Sequence, residues 1–104
     1  MSRSENVIIA ADAMGGDNAP QVVLDGVAAA LAEDVSLEVI LTGPEEIVVP
    51  FAESHERCIA HPTTQIIDMA EHPADAVRRK KDSSLVVGCR LVKEGAAQGF
   101  FSAG

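Results

Sequence analysis

A chain of 104 residues, 47% hydrophobic and 23% charged and free of repeats, is enough for one packed core. Eight Lys and Arg stand against sixteen Asp and Glu, and the net charge of −8 argues against a nucleic-acid binder. No apolar run nears the roughly 18–20 residues of a membrane span. The first six residues lack the apolar stretch of a secretory signal, so the expectation is a cytoplasmic protein. Without Trp or Tyr and with three Phe, the core must be built from Val, Ile, Leu and Ala.

Val7-Ile8-Ile9-Ala10-Ala11 is a short, β-branched apolar run and predicts a buried parallel strand. Asp12-Ala13-Met14-Gly15-Gly16-Asp17-Asn18-Ala19-Pro20 follows as a glycine-rich turn. A helix is predicted from Pro20 to Glu33, with Pro20 at its first position and Asp17 or Asn18 near enough to cap it. Val23, Val27 and Leu31 form its apolar stripe. Leu37–Thr42 reads as a second strand, closed by Gly43-Pro44. Residues 45–54 begin as a helix that Pro50 should break or kink. Residues 57–61 read as a third strand, and 62–69 are ambiguous.

Pro73 starts a further helix through Ala74, Val77 and Lys80. Asp82-Ser83-Ser84 interrupts it and caps a new helix carrying Leu85, Cys89 and Val92, with Gly95 as its stop. Residues 98–102 form a fourth strand. Strands alternating with helices imply an α/β fold with a mostly parallel sheet. Right-handed crossovers would bring the ends of strands one and four to one edge, so the Asp12–Pro20 loop and Ser102-Ala103-Gly104 would face one crevice.

Gly15-Gly16 can bring backbone N–H groups close to an anion beside a helix N-terminus. The string is neither G-x-G-x-x-G nor a Walker A sequence. Asp12 and Asp17 would repel phosphate unless a metal, a Lys or a hydroxyl-bearing ligand intervenes. The alternative is a tight turn with Asp17 capping. The charge is unevenly placed: residues 1–77 carry two cations against fourteen carboxylates, and residues 78–104 six against two. Arg78-Arg79-Lys80-Lys81 is either a solvated helix face or a cation source beside the hydroxyls and free N–H groups of Ser83 and Ser84. Ser83 and Ser84 have no neighbouring base, and helix capping is their default role. His55, His61 and His72 show no metal-ligand spacing. Cys58 and Cys89, each among apolar residues, read as buried structural thiols.

Five ordered strings carry a resemblance: Asp12-Ala13-Met14-Gly15-Gly16-Asp17; Ile67-Asp68-Met69 before Pro73-Ala74; Arg78 through Ser84; Leu91-Val92-Lys93-Glu94-Gly95; and Ser102-Ala103-Gly104. Together they resemble the bacterial acyl-acyl-carrier-protein:phosphate acyltransferases, the PlsX family of phospholipid synthesis. Residues 35–62 match only in strand–helix rhythm. The resemblance implies transfer of a fatty acyl group from acyl carrier protein to inorganic phosphate, giving an acyl-phosphate that a second acyltransferase passes to glycerol 3-phosphate. It implies a three-layer α/β/α sandwich like that of the isocitrate and isopropylmalate dehydrogenases. A homodimer is also implied, with no metal or organic cofactor, and a cytoplasmic location with peripheral membrane association. Acyl carrier protein is acidic, so the basic end of the chain is a docking contributor.

On this resemblance Gly15 and Gly16 contact phosphate or acyl-phosphate through their backbone, and Asp12 and Asp17 organise the loop. Lys81, Ser83 and Ser84 belong to the anion site, and Ser102 and Gly104 begin a second loop. Family members are much longer and continue Ser-Ala-Gly into Asn-Thr-Gly. The expectation is therefore that residues 1–104 are the N-terminal part of a single domain, inactive alone. Two rival readings are a nicotinamide-dependent decarboxylating dehydrogenase of the same fold group, and a small non-enzymatic module binding a phosphorylated ligand or an acidic carrier protein.

Overall fold

The computed structural model describes residues 7–15, 19–65 and 81–102. Within them β1 (Val7–Asp12), β2 (Leu37–Gly43), β3 (Cys58–Pro62) and β4 (Gly99–Phe101) form one sheet in the order β3-β2-β1-β4, every pairing parallel. Three helices accompany it: α1 (Gln21–Glu33), α2 (Glu45–Glu53) and α3 (Ser84–Lys93). The predicted helix from Pro73 lies outside the described residues.

The sheet is sandwiched because its strands alternate. Ala11, Val39 and Leu41 point to the face covered by α1, through Val23, Val27 and Leu31, and by α2, through Val48. Ala10 and Ile40 point to the opposite face, where Val87 and Leu91 of α3 pack with Phe100 against them. The result is an α/β fold with helices on both faces of a parallel sheet. Gly88 lets α3 approach β4 closely, since a Cβ there would stand 2.0 Å from Cε1 of Phe100.

Several boundaries differ from the sequence expectation. Pro20 is the N-cap of α1 and not its first residue, and it offers no capping side chain; Asp17 and Asn18 lie outside the described residues. Pro50 does not break α2, which runs unbroken to Glu53. Glu46 and Pro50 share the solvent face of that helix, so water can take the carbonyl of Glu46 that Pro50 has no N–H to satisfy. In α3 the buried stripe is Ser84, Val87, Gly88 and Leu91, rotated from the expected Leu85, Cys89 and Val92. Cys89 is accordingly exposed, which corrects the expectation of two buried thiols. Cys58 is buried, and burial pushes its thiol up to about 11.

Both ends of α3 are satisfied as its sequence foretells. Ser83 Oγ accepts from the N–H of Val86 at 3.3 Å. Gly95 takes φ +85° and donates to Val92 O at 3.1 Å while Ala96 donates to Leu91 O at 2.9 Å, a Schellman closure. The end of α1 is held differently: the guanidinium of Arg57 donates to the carbonyls of Leu31, Asp34 and Leu37 at 2.6–2.8 Å. Among the described residues no helix is long and apolar enough to cross a membrane.

Candidate functional site

The chain places β2 on one side of β1 and, after β3, returns to place β4 on the other. The connection out of β1 runs to β2 on one side while β4 lies against β1 on the other, so strand order reverses between β1 and β4, the point at which parallel α/β sheets open a ligand crevice. β1 ends in Asp12 and β4 is followed by Ser102, and in the register Ala11 lies opposite Phe101. The N-terminus of α3 arrives at the same place.

Asp12 is 4% exposed and is the centre of this crevice. Its Oδ1 accepts from the N–H of Met14 at 2.9 Å and from the hydroxyl of Ser84, and its Oδ2 accepts from the hydroxyl of Ser102 at 3.1 Å. The two serines stand 72 and 90 residues away in sequence. A buried carboxylate is tolerable only when its lone pairs are met by donors, and here three donors from three separate segments meet them. The turn itself follows from this bonding: Asp12 Oδ1 holds Met14, and Gly15 N–H donates back to the carbonyl of Asp12 at 3.3 Å. Gly15 thus spends its N–H inside the turn, whereas the expectation aimed it at an anion. Gly16, Asp17 and Gly104 lie outside the described residues.

Ser83 and Ser84 have distinct tasks. Ser83 caps α3, and Ser84, the first helical residue, donates to Asp12. Ser84 and Leu85 stand in the first turn of α3, where backbone N–H groups have no intrahelical acceptor and the positive end of the helix dipole lies, and the parallel bridge between Gln65 and Ser83 ties this start to the segment after β3. Lys81 is exposed in the turn just before this helix.

Two supporting groups escaped the sequence reading. Thr42, fully buried at the end of β2, directs its hydroxyl at the carbonyls of Ala11 (3.2 Å) and Ser84 (3.0 Å), tying β1 and α3 together under the site. A hydroxyl ending the otherwise apolar Val39-Ile40-Leu41 run was the available signal. Asp82 Oδ2 accepts from both the N–H (2.8 Å) and the hydroxyl (2.6 Å) of Thr64, and its own N–H donates to Gln65 Oε1 at 2.9 Å. These hydrogen bonds from Thr64 hold the Asp82 carboxyl below the usual carboxylate range. The clamp ties the segment leaving β3 to the start of α3 and so fixes where that helix begins.

A family profile described as "Fatty acid synthesis protein" matches residues 7–104. The chain is 47% identical over 96 residues to a phosphate acyltransferase of Streptococcus uberis, covering 92% of this chain and 29% of that protein. It is 50% identical over 99 residues to a phosphate acyltransferase of Desulfitobacterium hafniense, with coverage of 92% and 29%. Against a phosphate acyltransferase of Alkalilimnicola ehrlichii it is 43% identical over 106 residues, with coverage of 97% and 31%. The chain thus spans about three-tenths of the length of these curated relatives.

Proposed function

This chain belongs to the fatty acid synthesis protein family, and from that premise we propose that it forms part of a phosphate acyltransferase, moving a fatty acyl group from the thioester of acyl carrier protein to inorganic phosphate for phospholipid synthesis. The observation that carries the reading is the convergence of Asp12, Ser84 and Ser102 at the strand-order reversal, beside a helix N-terminus. The name borne by the curated relatives supports the reaction.

Phosphate must be held, partly neutralised and aimed. In this proposal the positive N-terminal end of α3 and the backbone of Gly16 and Asp17 take its anionic oxygens, and Lys81 contributes charge. Both serine hydroxyls are committed as donors to Asp12, so they hold the turn after β1 against the start of α3, and in this proposal phosphate enters as monohydrogen phosphate, carrying its own proton. An anionic phosphate oxygen then attacks the thioester carbonyl, the C–S bond breaks, and the thiolate leaves as the thiol of acyl carrier protein with the phosphate proton. Homodimerisation, peripheral membrane association and docking of the acidic carrier protein on the basic end are further parts of the proposal.

The test joins this chain to the remainder of the Streptococcus uberis phosphate acyltransferase and assays acyl-phosphate by trapping with hydroxylamine. The chimera is expected to turn over and the isolated chain is not. Ser84→Ala in the chimera should lower kcat/KM for phosphate at least about tenfold, the cost of roughly 1.4 kcal/mol of transition-state stabilisation. Full activity in both the Ser84→Ala and Asp12→Ala chimeras would refute the proposal, and turnover by the isolated chain would overturn the expectation that it is inactive alone.

A further inference from the structure

An apolar groove of about 390 Å³ lies between α1 and the sheet, reaching from Leu37 and Val39 of β2 across β1 to β4. Its walls include Ile9 and Ala11 of β1, Phe101 of β4, and Val22, Gly26 and Ala30 of α1. The last three recur every four residues, a row along the flank of the helix away from α2. Val22 and Phe101 remain 57% and 51% exposed. Gly26 sits in the middle of α1 where a helix disfavours glycine, yet a Cβ built on it would meet nothing within 4 Å. Among the described residues nothing packs on Gly26, whereas a second backbone passing close to α1 would explain a glycine at that point.

The connection handedness narrows what that backbone is. α1 and α2 cover the first face while the strands step from β1 to β3, and α3 covers the other face for the step back to β4. A right-handed crossover continuing outward past β4 would run on α3's face. The groove is on α1's face, so the next crossover cannot fill it. The curated relatives carry most of their length outside the matched segment.

We propose that the groove is the seat of an amphipathic helix contributed by that further length, one that returns from elsewhere in the protein to lie along Val22, Gly26 and Ala30 and over Phe101, with its backbone closest at Gly26. The proposal does not depend on the catalytic reading: Ala11 and Phe101 directly precede Asp12 and Ser102, but the groove lies on the α1 face of the sheet and its evidence is the open apolar lining and Gly26 alone.

The experiment compares the isolated chain with the same chimera carrying the Streptococcus uberis remainder, both with Cys89→Ser. Thiol labelling of Val22→Cys and Phe101→Cys should be at least tenfold slower in the chimera, while Ala32→Cys, on the exposed face of α1, labels equally in both. Gly26→Leu separates the occupants further. It fills open space and should raise the thermal midpoint of the isolated chain, yet lower that of the chimera by obstructing the incoming helix. A parallel chimera with the Desulfitobacterium hafniense remainder serves if the first does not unfold cooperatively. Equal labelling in chimera and isolated chain overturns the proposal. So does protection in the isolated chain that grows with its own concentration, which would mark a second copy, or protection given only by added fatty acid.

Discussion

Replacing Asp12 separates its role as a hydrogen-bond acceptor from its role as a charge. Asp12→Ala removes the acceptor of three donors at once: Met14 N–H and the Ser84 and Ser102 hydroxyls. Ser84 is 4% exposed and cannot turn to water, whereas Ser102 is only half-buried and can. An unsatisfied buried donor costs about 1–3 kcal/mol, and relief of the carboxylate's own desolvation returns part of it. The expected net loss is about 3 kcal/mol. For a chain of this size that lowers the thermal midpoint on the order of 10–20 °C. Asp12→Asn keeps one oxygen for Met14 and Ser84, and the Ser102 hydroxyl can rotate to accept from the new amide. Only charge assistance is lost, and the expected cost is about 1 kcal/mol. Urea unfolding followed by circular dichroism measures both. Equal losses for the two variants, or a loss below about 0.5 kcal/mol for Asp12→Ala, would show that the cluster does not hold the crevice together.

Gly88→Ala should destabilise by about 1–2 kcal/mol even though alanine is the better helix former, because the new methyl overlaps the Phe100 ring; calorimetry on Gly88→Ala and on Gly88→Ala/Phe100→Leu, which makes room, checks it. Arg57→Ala should cost about 2 kcal/mol through the loss of three carbonyl contacts at the end of α1, and amide exchange should rise first over Leu31–Leu37. Because the folded-state pKa of Asp82 is lowered, its contribution is present above about pH 4 and lost as pH falls through the lower folded value; the stability gap between wild type and Asp82→Asn should therefore close in strong acid, and a gap independent of pH would refute the clamp. At pH 8 a disulfide reagent should modify Cys89 rapidly and Cys58 only on unfolding; the raised pKa of Cys58 makes its stabilising effect complete below about pH 9 and lost as pH rises toward about 11, which Cys58→Ala should abolish.

The elements were legible wherever the signal was local. The Val23, Val27, Leu31 stripe, the strand at Leu37, the Ser83 cap and the Gly95 stop are each set by residues within one or two turns. The misreadings occur where neighbours decide. Which stripe of α3 is buried depends on Phe100 finding room only at Gly88, and whether Pro50 breaks α2 depends on which side of that helix faces water. The same holds for the site. Asp12 and the glycine-rich turn stand out in the sequence, but Thr42 and the Thr64–Asp82 clamp are short polar residues at strand and loop ends, indistinguishable there from ordinary punctuation.

The sequence by itself determined the alternation of strands and helices, the turn after β1 and the capped start of α3, because periodicity, glycine placement and side-chain capping act over a few residues. Only the tertiary structure decided that Asp12 would find Ser84 and Ser102. Those contacts exist because β4 enters the sheet beside β1 and not beyond β3, a choice made by crossover handedness and by the fit of Phe100 under α3, across separations that no local pattern spans.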